Sequence, residues 1–158
     1  MNILVLCTGN SARSILLESE LNAASGGRIT AFSAGSQPSG KVHPQSITLL
    51  EGLGRDMSTA RSKSWDEFAG DDAPQMDAVI TVCGSAAAET CPYWPGAPVR
   101  SHWGVEDPAA APQHEWETAF QTAYDILSRR AAALLALPFE DMDTATLKAE
   151  LDRIGNLP

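Results

Sequence analysis

Ile3-Leu4-Val5-Leu6-Cys7-Thr8-Gly9-Asn10-Ser11-Ala12-Arg13-Ser14 is the stretch on which the fold turns. A short apolar run bounded by small and turn-forming residues reads as a buried strand. It opens into a C-x5-R-S loop, and the segment that follows favours a helix. A helix N-terminus presents free N–H groups and the positive end of the dipole, and a Gly/Asn loop can converge further amides on one point. That geometry suits a tetrahedral oxyanion and is expected to lower the pKa of a thiol placed under it. Residues Thr8, Gly9, Asn10, Ser11, Ala12, Arg13 and Ser14 are the expected oxyanion-binding loop around the nucleophile Cys7. Arg13 offers a planar fork to two anion oxygens. Ser14 offers a hydroxyl to the sulfur.

Outward from this stretch, composition narrows the function. The chain has 158 residues, 44% of them hydrophobic, which suits one domain with a full-sized core. A formal charge of −9 lacks the basic face that nucleic acid or an anionic membrane would require, so an anion must be captured locally. There is no run of eighteen apolar residues and no leader-like pattern, which predicts a cytoplasmic protein. Three cysteines, Cys7, Cys83 and Cys91, do not make a secreted disulfide framework, so their role is read as chemical.

Following the chain, residues 15–24 read as an amphipathic helix with Leu17, Leu21 and Ala24 apolar, ended by Gly26-Gly27. Residues 28–34 suit a second strand, and Pro44 to Leu53 a second helix with Pro in its first turn. Ser64 to Phe68 suggests a short capped helix. Asp77 to Val82 reads as a buried strand by its β-branched run, and Val99 to Trp103 as a fourth. Cys83 starts where the third strand stops, beside Cys7 if the sheet is parallel, and parallel sheets bind ligands at that edge. From His114 to Leu137, Trp116, Phe120, Tyr124, Leu127, Ala131 and Leu134 fit the core stripe of one long helix. Thr144 to Ile154 is a last amphipathic segment, packing on the domain or on a partner.

Four groups of residues together resemble the arsenate reductases of the low-molecular-weight tyrosine phosphatase superfamily, the thioredoxin-coupled type most of all. They are Cys7 to Ser14; Phe32-Ser33-Ala34-Gly35; Val82-Cys83-Gly84 with Cys91-Pro92; and His102-Trp103-Gly104 leading to Asp107-Pro108-Ala109. The resemblance covers residues 1 to about 137. It implies a single-domain, three-layer α/β fold, a four-stranded parallel sheet flanked by helices; residues 138–158, a C-terminal helical extension, are longer than the family core requires. It also implies reduction of arsenate through a thiol relay: Cys7 attacks arsenic, Asp107 acts as general acid, Cys83 attacks Cys7, and Cys91 then takes up the disulfide. No tightly bound cofactor or metal is implied. The electron donor would be thioredoxin, with glutathione and glutaredoxin as the other possibility, and the protein would be a monomer.

Several features depart from the family pattern. Seven residues separate Cys83 from Cys91, where six are expected. Ala12 replaces a frequent loop cysteine. Some relatives hold potassium with residues matching Asn10, Glu18 and Ser33 and an acid near position 63, where this chain has Lys63. The expectation is that the Lys63 ammonium takes the cation's place. Ala109-Ala110 stands where the phosphatase branch carries an aromatic pair. On residues alone, Asp107 before Pro108 is also a good turn former, and Glu18 a dipole-favourable carboxylate. Phosphomonoester hydrolysis needs only Cys7, Arg13 and Asp107. A non-enzymatic oxyanion or arsenite sensor would use the thiols as ligands.

Overall fold

The computed structural model describes residues 1–84, 86, 94 and 97–158. Strands β1 (Asn2–Leu6), β2 (Thr30–Ala34), β3 (Ala78–Thr81) and β4 (Val99–His102) form one parallel sheet in the order β2-β1-β3-β4. β1 has a strand on each side, so Ile3 to Leu6 are at most 1% exposed, which is why this run is apolar without alternation. β4 lies at an edge and does alternate: Val99 and Ser101 are buried, Arg100 and His102 exposed. Leu6 aligns with Ala34 and Thr81, and Thr81 with His102. The chain therefore leaves all four strands at one level, delivering Cys7, Gly35, Cys83 and the segment after Trp103 to the same edge of the sheet.

Helix α1 (Arg13–Ala24) returns β1 to β2, and α2 (Pro44–Gly52) follows β2. Ala24 is exposed, contrary to the expected stripe. α1 instead buries Ser14 to Leu17, Glu20 and Leu21, because it packs on the sheet and also against the long helix α3 (Trp116–Leu135). Ser64 caps the short 3-10 turn Trp65–Phe68 through Asp66 N, as its sequence suggests. α3 buries Phe120, Tyr124, Leu127, Ala131 and Leu134 and stops before Pro138; His114 belongs to a separate 3-10 turn, Gln113–Glu115.

Helix α4 (Thr144–Gly155) starts at Asp143, whose carboxylate accepts from Thr146 N at 2.7 Å. Its stripe of Leu147, Leu151 and Ile154 is buried against β4 and α3, so it packs on the domain. Arg28 fastens the turn before it, donating to Leu135 O (2.7 Å), Leu137 O (2.8 Å) and Glu140, while lying over the Phe139 ring. Among the described residues no helix is long and apolar enough to cross a membrane.

Candidate active site

The loop from Cys7 to Ala12 is held from outside by its carbonyl groups. Thr8 O accepts from Gln37 N (3.0 Å), and Gly9 O from Ser39 N and Ser62 Oγ (3.0 Å each). Ser11 O accepts from His43 N and Ser46 Oγ, also at 3.0 Å. In a trans peptide the N–H opposes the C=O, so the amides of Gly9 and Ala12 face the inside of the turn, while that of Asn10 donates to Cys7 O (3.2 Å). Asn10 adopts the left-handed region (φ 45°), where Asn is tolerated better than most side chains. It is fully buried: its Nδ2 donates to Ser14 Oγ (2.8 Å) and its Oδ1 accepts from Lys63 N (2.9 Å). The Ser14 hydroxyl oxygen is thus an acceptor for Asn10.

Gly35 underlies the loop. A Cβ there would stand 2.3 Å from Thr8 O and 2.5 Å from Cys7 O, so only glycine lets β2 approach this closely.

Arg13 begins α1. Its Nη1 donates to Val105 O (2.8 Å) and its Nη2 lies 3.7 Å from Asp107 Oδ2. Its Nε is buried with no hydrogen-bond partner among the described residues, and a buried donor of this kind calls for one. Asp107 fills the turn-forming role its sequence suggested and also approaches Arg13. One oxygen caps the turn Pro108–Ala110 through Ala109 N (3.0 Å), and the other faces Arg13. The side chain is 44% exposed, open to substrate.

Cys83 lies at the end of β3 and meets Cys7. Its Sγ accepts from Thr8 N and Ala86 N (3.4 Å each) and lies 3.7 Å from Thr8 Oγ1. The neighbouring Cys7 thiol first, and then the amides of Thr8 and Ala86, outweigh burial and bring the Cys83 pKa down to about 5. Cys7 is displaced upward, first because it donates to Cys83 and then because it is buried; Arg13 opposes the rise. This corrects the sequence expectation. The loop alone would acidify Cys7, but a second thiol with better hydrogen-bond donors takes the negative charge. Cys91 lies outside the described residues.

Asn10, Glu18, Ser33 and Lys63 come together behind the loop. Lys63 Nζ is 3.9 Å from Glu18 Oε2, 3.4 Å from Ser33 Oγ and 3.2 Å from Arg61 O. Burial raises the Glu18 pKa, with Lys63 and Ser33 opposing; burial lowers that of Lys63, with Glu18 opposing.

Residues 2–152 match the low molecular weight phosphotyrosine protein phosphatase family. The arsenate reductase of Bacillus subtilis is 35% identical over 130 residues, covering 81% of this chain and 90% of the relative. The chain belongs to this family, on its arsenate reductase branch. An arsenate reductase solved in the phosphate-binding state superposes with a TM-score of 0.69 at 28% identity, covering 85% of this chain and 96% of the other. A thioredoxin-dependent arsenate reductase of Corynebacterium glutamicum gives 0.63 at 25%, covering 85% and 60%.

Sequence reasoning passed over the residues that brace the family loop here. His43 is the main one: its N–H holds Ser11 O, its Nδ1 caps α2 through Gln45 N (3.0 Å), and its ring packs on Trp116 and Phe120. Burial lowers its pKa against the pull of Asp107. The cap position before Pro44 was the available signal. Ser46 and Ser62 carried no local signal.

Proposed function

We propose that the protein reduces arsenate to arsenite through Cys7, Cys83 and Cys91, as a cytoplasmic monomer with no tightly bound cofactor and with thioredoxin as electron donor. The observation that carries this reading is the placement of Cys83 against the oxyanion loop, its Sγ accepting from the amide of Thr8, the residue after Cys7. Hydrolysis of a phosphoester has no use for a second sulfur there.

Arsenate would bind to the loop amides and Arg13. Transfer of the proton from Cys7 to Cys83 leaves a Cys7 thiolate, which attacks arsenic. A sulfur–arsenic bond forms, and an arsenic–oxygen bond breaks. Asp107 gives its proton to the departing oxygen, which leaves as water. Cys83, deprotonated again, attacks the Cys7 sulfur. The new S–S bond replaces the S–As bond, whose electron pair stays on arsenic, reducing As(V) to As(III) as arsenite leaves. Cys91 thiolate would attack Cys83, freeing Cys7, and an external dithiol would reduce the Cys83–Cys91 disulfide.

The test is arsenate-dependent NADPH oxidation coupled through thioredoxin. Activity absent from both Cys7→Ser and Cys83→Ser supports the relay. Turnover surviving in Cys83→Ser, with brisk aryl phosphate hydrolysis, would establish a phosphatase instead. Loss of turnover with thioredoxin but not with glutathione and glutaredoxin in Cys91→Ser identifies thioredoxin as the partner of Cys91. The Lys63 ammonium replaces a bound cation beside Glu18, so exchanging sodium for potassium at constant ionic strength should leave the rate unchanged. A several-fold activation by potassium would contradict this.

A further inference from the structure

Arg130 is an anomaly. It sits on α3 only 6% exposed, yet among the described residues no carboxylate lies within ion-pair distance of it. A buried guanidinium without a counterion is costly unless its donors are satisfied. Here they meet backbone carbonyls: Nε and Nη2 donate to Leu157 O (3.2 and 2.9 Å) and Nη1 to Gly104 O (3.2 Å). One side chain therefore joins the segment beyond α4 to the strand exit that leads to Asp107.

The rest of that exit is held from the same side. Ser101 Oγ donates to Asp152 Oδ1 (2.8 Å), and Trp103 Nε1 to Leu151 O (2.9 Å). Gly155 rests on His102 so closely that a Cβ would stand 2.4 Å from His102 O and 2.8 Å from Trp103 Cδ1. Each residue from Ser101 to Gly104 is thus fastened to α4, to its following residues, or to Arg130. The next residue, Val105, accepts the hydrogen bond from Arg13, and Asp107 follows two positions later.

We infer that α4 and residues 156–158, acting through Arg130, are a positioning device that sets Asp107 against Arg13 and the oxyanion loop. This rests on the reading of Arg13 and Asp107 given above, and it assigns a role to the part of the chain beyond Pro138. Neither Arg130 nor Gly155 touches substrate in this scheme. Both act through Val105 and Asp107. Misplacing a reacting group by about 1 Å can cost roughly a hundredfold in rate, so partial release should be visible without unfolding.

The experiment compares wild type, Arg130→Gln, Arg130→Lys and Gly155→Ala at a temperature where circular dichroism finds each fully folded. The readouts are single-turnover arsenite release, which needs no electron donor, and inorganic phosphate binding by calorimetry, which needs the loop amides but not the acid. The expected result is a fall of about tenfold in the rate of arsenite release for Arg130→Gln and Gly155→Ala. Phosphate Kd should stay within about threefold, and Arg130→Lys should recover part of the rate. Unchanged release rates in the folded variants overturn the proposal, as does an equal loss of phosphate binding and rate. If wild type releases no arsenite but hydrolyses aryl phosphate, the arsenate reading fails and the same comparison on aryl phosphate decides the positioning role. If wild type turns over neither substrate, both are overturned.

Discussion

Cys7 and Cys83 divide one negative charge unequally because their hydrogen-bond donors differ. Cys83 accepts from the amides of Thr8 and Ala86 and is lowered further by the neighbouring Cys7 thiol, whereas Cys7 is buried and keeps its proton. Alkylation followed by mass spectrometry should therefore label Cys83 before Cys7 at pH 6, with a midpoint for Cys83 near 5. Removing the donor in Cys7→Ala should move that midpoint upward, toward the ordinary thiol range, by about one unit or more. Labelling of Cys7 first would overturn the assignment. At this scale the spacing C-x5-R-S named the loop, Cys7 and Arg13, because those positions are local to one strand-loop-helix turn. The acidity of Cys83 was not legible, since it depends on Thr8, seventy-five residues away along the chain.

The loop keeps its shape through elements that contribute backbone rather than side-chain chemistry. Gly35, the residue after β2, lies directly against the Cys7 and Thr8 carbonyls. Gly35→Ala should cost about 1–3 kcal/mol in denaturant unfolding, the range for overpacking, and should weaken phosphate binding at least tenfold by displacing the loop. Retained affinity would mean the loop can shift without losing its geometry. Element positions were well expressed in the pattern of apolar residues, from the unbroken run of β1 to the stripe of α3. The faces were less so: Ala24 looked apolar by spacing yet is exposed, while Glu20 and Arg130 are polar yet buried. Periodicity reports how many residues a helix buries more faithfully than which partner each will meet.

Across the whole molecule, Glu20 joins α1, the segment after α2 and α3. It accepts from Tyr124, from Arg55 (3.0 Å) and from Ser128 (3.1 Å). Burial raises its pKa, but these hydrogen bonds outweigh burial and leave it below 4.5. A carboxylate with a lowered folded pKa contributes stability above the unfolded value and loses it as pH falls through the folded one. Stability should accordingly decline as pH drops below about 4.5. Glu20→Gln should be less stable at pH 7 by about 1–3 kcal/mol and flatter between pH 5 and 3, as denaturant titrations would reveal. An unaltered acid slope would place the sensitivity elsewhere. The oxyanion cradle has a further consequence at this scale. Its attraction comes from backbone amides and one guanidinium, which act at contact, while the whole chain carries −9. A dianion approaching from a distance is repelled, and that repulsion is screened by salt over about 10 Å at 0.1 M. Association of a tetrahedral dianion should therefore quicken as inert salt is added from low ionic strength, so the protein works faster in a salty medium than in a dilute one, the reverse of electrostatic steering.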